Sequence, residues 1–225
     1  DAQKIAETDL NFRSVSLAYG RSTSGSNGRY FAVWERLNNS TDLFGNIYYS
    51  RNTTTIDGSW MPPISLDSLN EYMVGYCSNP SISVQMNDTD NDSSSTSAIV
   101  LVQRAYMGDI NDYDILGFYN ERAHYTNEWN RLDINNNGST SDVQPNISYD
   151  PVNNNFLATY YSKTDGQVVY CLKNFNITEP NSWEYISNQI NDDYLVLAEN
   201  PQIVIDPLYT QTVHAWINVI GGRGY

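Results

Sequence analysis

Residues 167–187 read QVVYCLKNFNITEPNSWEYIS. A β-branched and aromatic run, "QVVYCLKN", gives way to a polar link containing Pro180, and Trp183 then opens the short apolar segment "WEYIS". The same order occurs twice upstream, as "GNIYYSRN" (45–52) followed by "GSWMPP" (58–63) and as "YDILGFYN" (113–120) followed by "NEWNRLD" (127–133). Trp60, Trp129 and Trp183 thus occupy one place in a recurring unit. A supersecondary unit that returns in fixed order is the mark of a repeat architecture, in which each copy buries its apolar faces against its neighbours.

Working outward from these segments, each is preceded by two further strand-like runs. The first runs are "FRSVSLA" (12–18), "NPSISV" (79–84), "QPNISYD" (144–150) and "NPQIVID" (200–206), with apolar side chains at alternate positions, the period of a strand. The second runs, "RYFAVWER" (29–36), "SAIVLVQR" (97–104), "FLATYYS" (156–162) and "TVHAWIN" (212–218), are almost continuously apolar, as expected of strands covered on both faces. Asp165-Gly166 suits a tight hairpin between second and third strands. No helical period is evident. The pattern predicts an all-β chain built of four-stranded antiparallel blades, a β-propeller, and a β-sandwich fits it less well because it does not require the same order to recur. Treated as one propeller region over 1–225, the chain divides into blades at about 11–78, 79–143, 144–199 and 200–225. The last ends at "GGRGY", where its third strand is due, so about three and a half blades are expected and the chain reads as a fragment of a larger ring.

Composition bounds the function. Twelve Lys plus Arg against twenty-six Asp plus Glu give a formal charge of −14, which repels phosphate backbones and anionic lipid and argues against a nucleic-acid partner. No apolar run is long enough to insert into a membrane. Abundant Asn, Ser, Thr and Tyr with few Lys suit a hydrated extracellular surface, and Asn39, Asn52, Asn87, Asn137, Asn146 and Asn176 each open an Asn-x-Ser/Thr sequon. Cys77 and Cys171 could form one disulfide or remain buried thiols. His124 and His214 lack metal-ligand spacing, and the default for His214, within an inner strand, is a satisfied core residue.

One loop has ligand-like spacing. In "DINNNGSTSD", Asp133, Asn135 and Asn137 stand at the first, third and fifth places with Gly138 sixth, the start of an EF-hand-type calcium loop. The twelfth place is Gln144 instead of a bidentate acid, so the alternatives are weak Ca2+ binding and a plain polar turn. The acidic stretch "NDTDND" (87–92) reads as a solvated loop.

The stretch "IYYSRNTTTIDGSW" (47–60), with Ser50, Asp57, Gly58, Ser59 and Trp60 in order, resembles the Asp-box repeat of sialidase-like propellers. There the Asp and Gly shape a turn and the Trp packs between strands. That resemblance implies fold, not catalysis. Extended to chemistry, it implies a carboxylate-gripping Arg13 in "FRSVSL", Glu35 and Arg36 in "FAVWER", and an acid, Asp42, in "NSTDLFG". Arg forks a carboxylate and a carboxyl group can protonate a glycosidic oxygen. However, the family's proline is absent after Arg13, Arg104 and Asp109 repeat the arrangement one blade later, and no nucleophile pair is assignable. The repeat texture as a whole resembles the propeller modules of large secreted surface proteins of Bacteroidota used in adhesion. It implies a non-enzymatic, cell-surface module binding a glycan or a cell-surface protein, with other chains or segments completing the ring. The alternatives are a sialidase-like glycoside hydrolase fragment and a structural spacer in a filament.

Overall fold

The computed structural model describes residues 11–20, 28–52, 59–69, 76–85, 97–106, 109, 111–124, 126–135, 141–163, 168–174, 182–187, 198–205 and 215–221. These form fourteen strands and one short 3-10 turn at Asp67–Leu69. Sheet 1 comprises β1 (Asn11–Gly20), β2 (Arg29–Leu37), β3 (Asn46–Arg51) and β4 (Ile64–Ser65). Sheet 2 comprises β5 (Cys77–Val84), β6 (Ala98–Ala105), β7 (Tyr113–Asn120) and β8 (Asn130–Asn135). Sheet 3 comprises β9 (Asp142–Asp150), β10 (Asn155–Ser162), β11 (Val168–Asn174) and β12 (Trp183–Ser187), and the pair β13 (Ala198–Ile205) and β14 (Ala215–Gly221) forms sheet 4. In every sheet the strands neighbour each other in chain order, and every pairing is antiparallel.

The sheets stand side by side. The first strands meet in sequence, β1 packing beside β5, β5 beside β9 and β9 beside β13, as the inner strands of successive propeller blades do. Side-chain alternation explains the stacking. On β6, Ala98, Val100 and Val102 join Phe31, Val33, Ile47 and Tyr49 of sheet 1 in one core, while Ile99 and Leu101 turn the other way to meet Ile147, Tyr149, Phe156 and Ala158 of sheet 3. A strand sealed on both sides needs the unbroken apolar run that β6 carries. Leu157 in turn packs on Ile203 and Ile205 of sheet 4.

The tryptophans hold the outer region together in differing ways. Trp129 is buried edge-on against Tyr49, ring centroids 4.8 Å apart, and so ties sheet 2 to sheet 1. Trp183 is the first residue of β12, whereas Trp60 precedes β4 and makes only an isolated bridge to Asn52. The tryptophan therefore marks the approach to the fourth strand more than the strand itself. In the stretch that resembles an Asp box, the Ser50 hydroxyl donates to the Met61 carbonyl at 2.7 Å, while Asp57 and Gly58 lie outside the described residues.

Cys77 is fully buried at the junction of sheets 1 and 2, where the Gly45 N–H donates to its carbonyl at 3.2 Å. Burial, reinforced by the charge of Asp67, pushes its thiol pKa well up. The Cys171 side chain lies outside the described residues.

Candidate functional site

The four inner strands share one irregularity. Between Arg13 and Ser16, Ser78 and Ser81, Val143 and Asn146, and Glu199 and Gln202, the inner strand advances three residues while its partner advances two, which defines a β-bulge at the same place in each sheet. Ser14, Asn79 and Gln144, the bulged residues of the first three, have φ of 53°, 48° and 56°. This left-handed region is costly for most side chains and best tolerated by Asn. Next comes Pro80, Pro145 or Pro201 in three of the four strands, and proline suits an unpaired bulge because it has no N–H to lose.

The residue after that joins each blade to the next. The N–H of Ile82 donates to Ser16 Oγ at 3.2 Å, that of Ile147 to Ser81 Oγ at 3.3 Å, and that of Ile203 to Asn146 Oδ1 at 3.1 Å. Inner strands of neighbouring blades do not pair as a ladder, so these inward-facing amides need side-chain acceptors, and the Ser/Asn position supplies one per junction. A second chain of bonds lies beside it. Ser14 Oγ donates to Asn79 Oδ1 at 3.2 Å, Asn79 Nδ2 to Gln103 Oε1 at 3.1 Å, and the same Gln103 oxygen accepts the Gln144 N–H at 3.2 Å.

Together the bulges enclose a cleft of about 290 Å³ lined by residues 14–16, 79–81, 144–146 and 201–202. Its side chains are Ser, Asn, Gln, Pro and one Val, without a formal charge among them. Such a lining can donate and accept hydrogen bonds to neutral hydroxyl or amide groups, and it contains no acid, base or nucleophile pair for chemistry.

The residues singled out for hydrolysis do not meet there. Arg13 pairs with Glu35 directly across β1 and β2, Nη2 to Oε1 at 2.6 Å, and the same nitrogen donates to the Leu43 carbonyl. The bond to Glu35 raises the Arg13 pKa, so the guanidinium is a fixed cation committed to that partner. Glu35 is completely buried, and its Oε2 has no hydrogen-bond partner among the described residues. Asp42 closes its own turn by accepting the Asn39 N–H at 2.8 Å. One sheet on, Arg104 bonds not to Asp109 but to Asp114, Nη2 to Oδ2 at 2.8 Å, as a buried pair. Burial outweighs the pull of Arg104 and leaves the Asp114 carboxyl pKa raised.

In the loop with calcium-like spacing, Arg131 holds Asp133 at 2.7 Å, so a cation would have to displace the guanidinium. Asn135 is the last residue of β8, and Asn137 lies outside the described residues. No group of three or more His, Cys, Asp or Glu side chains suited to a metal occurs among the described residues. His124 is buried and stacks on Phe31, ring centroids 5.5 Å apart, while His214 and the acidic residues of 87–92 lie outside the described residues. Two sequon asparagines are committed to packing, since Asn52 accepts the Tyr30 N–H at 2.8 Å and Asn146 accepts that of Ile203. Asn39 is exposed.

The cleft residues were visible in the sequence only as strand starts. The missed signal was a proline inside a strand pattern, which marks a bulge.

The four-stranded antiparallel sheets, packed side by side through their first strands, thus define a β-propeller-type chain with a neutral polar cleft along those inner strands. No family model matches it and no curated protein matches it. Among solved structures, a Trypanosoma rangeli sialidase in complex with the inhibitor DANA is 13% identical with a TM-score of 0.48, covering 82% of this chain and 29% of that one. An N-acetylgalactosamine deacetylase from F. plautii in complex with blood group B trisaccharide is 11% identical with a TM-score of 0.46, covering 89% of this chain and 60% of that one. The chain spans less than two thirds of the length of either protein. At these identities and scores neither likeness carries an argument about this chain's ligand or activity.

Proposed function

We propose that this chain is a non-catalytic β-propeller module of a secreted surface protein and that its inner-strand cleft binds a neutral carbohydrate. The observation that carries the reading is the uncharged lining of that cleft, whose serine, asparagine and glutamine side chains suit the hydroxyl and amide groups of a sugar. Its size, about 290 Å³, lies near the lower end of small-molecule sites and suits one or two sugar rings, not an extended chain.

Hydrolysis of a sialoside is the weaker reading. It needs a free Arg to grip the carboxylate and a carboxyl group beside the glycosidic oxygen, but Arg13 is engaged by Glu35, Glu35 is sealed from solvent, and Asp42 caps a turn.

The test is a glycan array read together with calorimetry, using the wild type and Asn79→Asp, which keeps the left-handed conformation while placing a charge in the cleft. Binding of neutral glycans that weakens at least tenfold in the variant is expected, with no turnover of a fluorogenic sialoside. Sialoside turnover that disappears in Glu35→Gln would sink the proposal in favour of the hydrolase.

A further inference from the structure

The polar side chains of the cleft divide by what they already hold. Ser16 Oγ, Ser81 Oγ and Asn146 Oδ1 each accept the amide of the following blade. In the second row Asn79 Oδ1 accepts from Ser14 Oγ, and Gln103 Oε1 accepts from both Asn79 Nδ2 and the Gln144 N–H. Each of these oxygens has given a lone pair to the fold, whereas several protons remain. The hydroxyl hydrogens of Ser16 and Ser81 and both hydrogens on Asn146 Nδ2 meet no acceptor among the described residues. Ser81 is 6% exposed, so bulk water does little to satisfy its hydroxyl. Three successive blades therefore bring a row of donors, at one register position, to the same cleft. Because each of the three side chains already accepts an amide, its remaining protons are polarised towards donation.

A donor row calls for a group rich in lone pairs and poor in protons. A sugar hydroxyl meets that demand only in part, since it brings a proton of its own to a place whose acceptors are engaged, and a buried donor left unmatched is costly. A carboxylate or an inorganic anion has lone pairs alone, but the lining carries no cation to offset the water the anion would lose, and the chain as a whole stands at −14. An amide carbonyl escapes both objections, because its oxygen is a strong acceptor with neither charge nor proton. The acetamido group of an N-acetylated sugar adds a methyl, for which Val15 and the rings of Pro80, Pro145 and Pro201 are the apolar part of the lining. It also adds one N–H, which the exposed Gln202 side chain at the same cleft can accept.

We propose that the cleft selects its carbohydrate by an acetamido group, whose carbonyl oxygen takes hydrogen bonds from Ser81 Oγ and Asn146 Nδ2, with Ser16 Oγ the third donor of the row. The inference rests on the carbohydrate reading given above and names the sugar class within it, N-acetylated amino sugars in preference to plain hexoses.

The test compares the methyl glycosides of N-acetylglucosamine and glucose, titrated into the 225-residue chain by calorimetry. The acetamido sugar is expected to bind at least tenfold more tightly, and in saturation-transfer NMR its acetyl methyl protons are expected to receive the strongest transfer. Asn146→Asp keeps an oxygen for the Ile203 N–H but has no proton to donate, and the preference for the acetamido sugar is expected to fall at least fivefold, with circular dichroism confirming the fold. Asn146→Ser restores a donor of the kind found at Ser16 and Ser81 and is expected to recover part of that preference. Equal affinity for the two glycosides would overturn this inference and leave the carbohydrate reading standing, whereas no binding of either glycoside, nor of any neutral sugar, would remove both. Binding of acetate or chloride in place of the sugars, or a preference unaltered in a folded Asn146→Asp, would also overturn it. Should Asn146→Asp fail to fold, the wild-type comparison of the two glycosides decides alone.

Discussion

Asp114 shows how little a buried charge contributes here despite good geometry. Its bond to Arg104 is 2.8 Å long and both side chains are almost fully buried, yet the carboxyl pKa is raised, because removing the anion from water costs more than the guanidinium returns. The sign of the pH dependence follows. A carboxyl whose folded pKa lies above its unfolded value favours the fold while protonated, and that contribution is lost as pH rises from the unfolded value of 3.8 through the raised one. Asp114→Asn keeps an oxygen for Arg104 but cannot ionise. Chemical denaturation is therefore expected to show the variant gaining on the wild type as pH goes from 3 to 7, by about 1.4 kcal/mol for each unit of pKa shift. A variant that loses ground over that interval would contradict the balance described. Arg13–Glu35 differs, since Arg13 is a third or more exposed, and its screened half of the pair contributes less than the distance suggests.

At the scale of elements, the strands were largely legible and the bulges were not. Period-two alternation and the unbroken apolar runs located β1 to β3, β5 to β7 and β9 to β11, because those features report directly which faces a strand buries. "NPSISV" and "QPNISYD" were read as strand beginnings, but β5 starts at Cys77 and β9 at Asp142, so the prolines fall inside the strand. A bulge preserves the alternation on either side of itself and shifts its phase by one residue, and so close to a strand's start that shift reads as the beginning of the strand. For the same reason the acceptor role of Ser16, Ser81 and Asn146 was hidden, since it exists only once neighbouring inner strands are side by side. The pairing of Arg13 with Glu35 was equally out of reach, because it depends on a β1–β2 register that the bulge itself resets. Two substitutions test the elements. Asn79→Val puts a β-branched residue at φ 48° and removes the bonds to Ser14 and Gln103, with an expected loss of about 2–4 kcal/mol in urea denaturation. Gly117→Ala would bring a methyl to within 2.3 Å of the Val100 carbonyl oxygen on the adjacent strand, a backbone atom that cannot move aside, so β6 and β7 would separate locally and the melting temperature should fall by several degrees.

For the whole molecule, the question is whether the sheets behave as one unit. Each junction is a shared core, so a cavity in one should be felt by the chain and not by a single sheet. Ile82→Ala empties a site buried between sheets 1 and 2, and a loss of about 2–5 kcal/mol is expected in one transition seen alike by tryptophan fluorescence and far-UV circular dichroism. Two separated transitions would mean that the blades melt singly. Opposing this cohesion is the formal charge of −14, with twenty-six acids facing twelve bases. The repulsion among exposed carboxylates reaches about 30 Å at 0.01 M salt and only about 8 Å at 0.15 M. Salt also weakens surface ion pairs such as Arg131–Asp133, but among the described residues those are few and contribute little each. Screening should therefore favour the folded chain on balance, and the melting temperature should rise with sodium chloride over that range. Because Leu17→Glu adds one more negative charge to a face that is otherwise apolar, its melting temperature should depend on salt slightly more steeply than that of the wild type. A melting temperature that falls with salt in both proteins would show that specific ion pairs, and not net repulsion, govern the electrostatics of the fold.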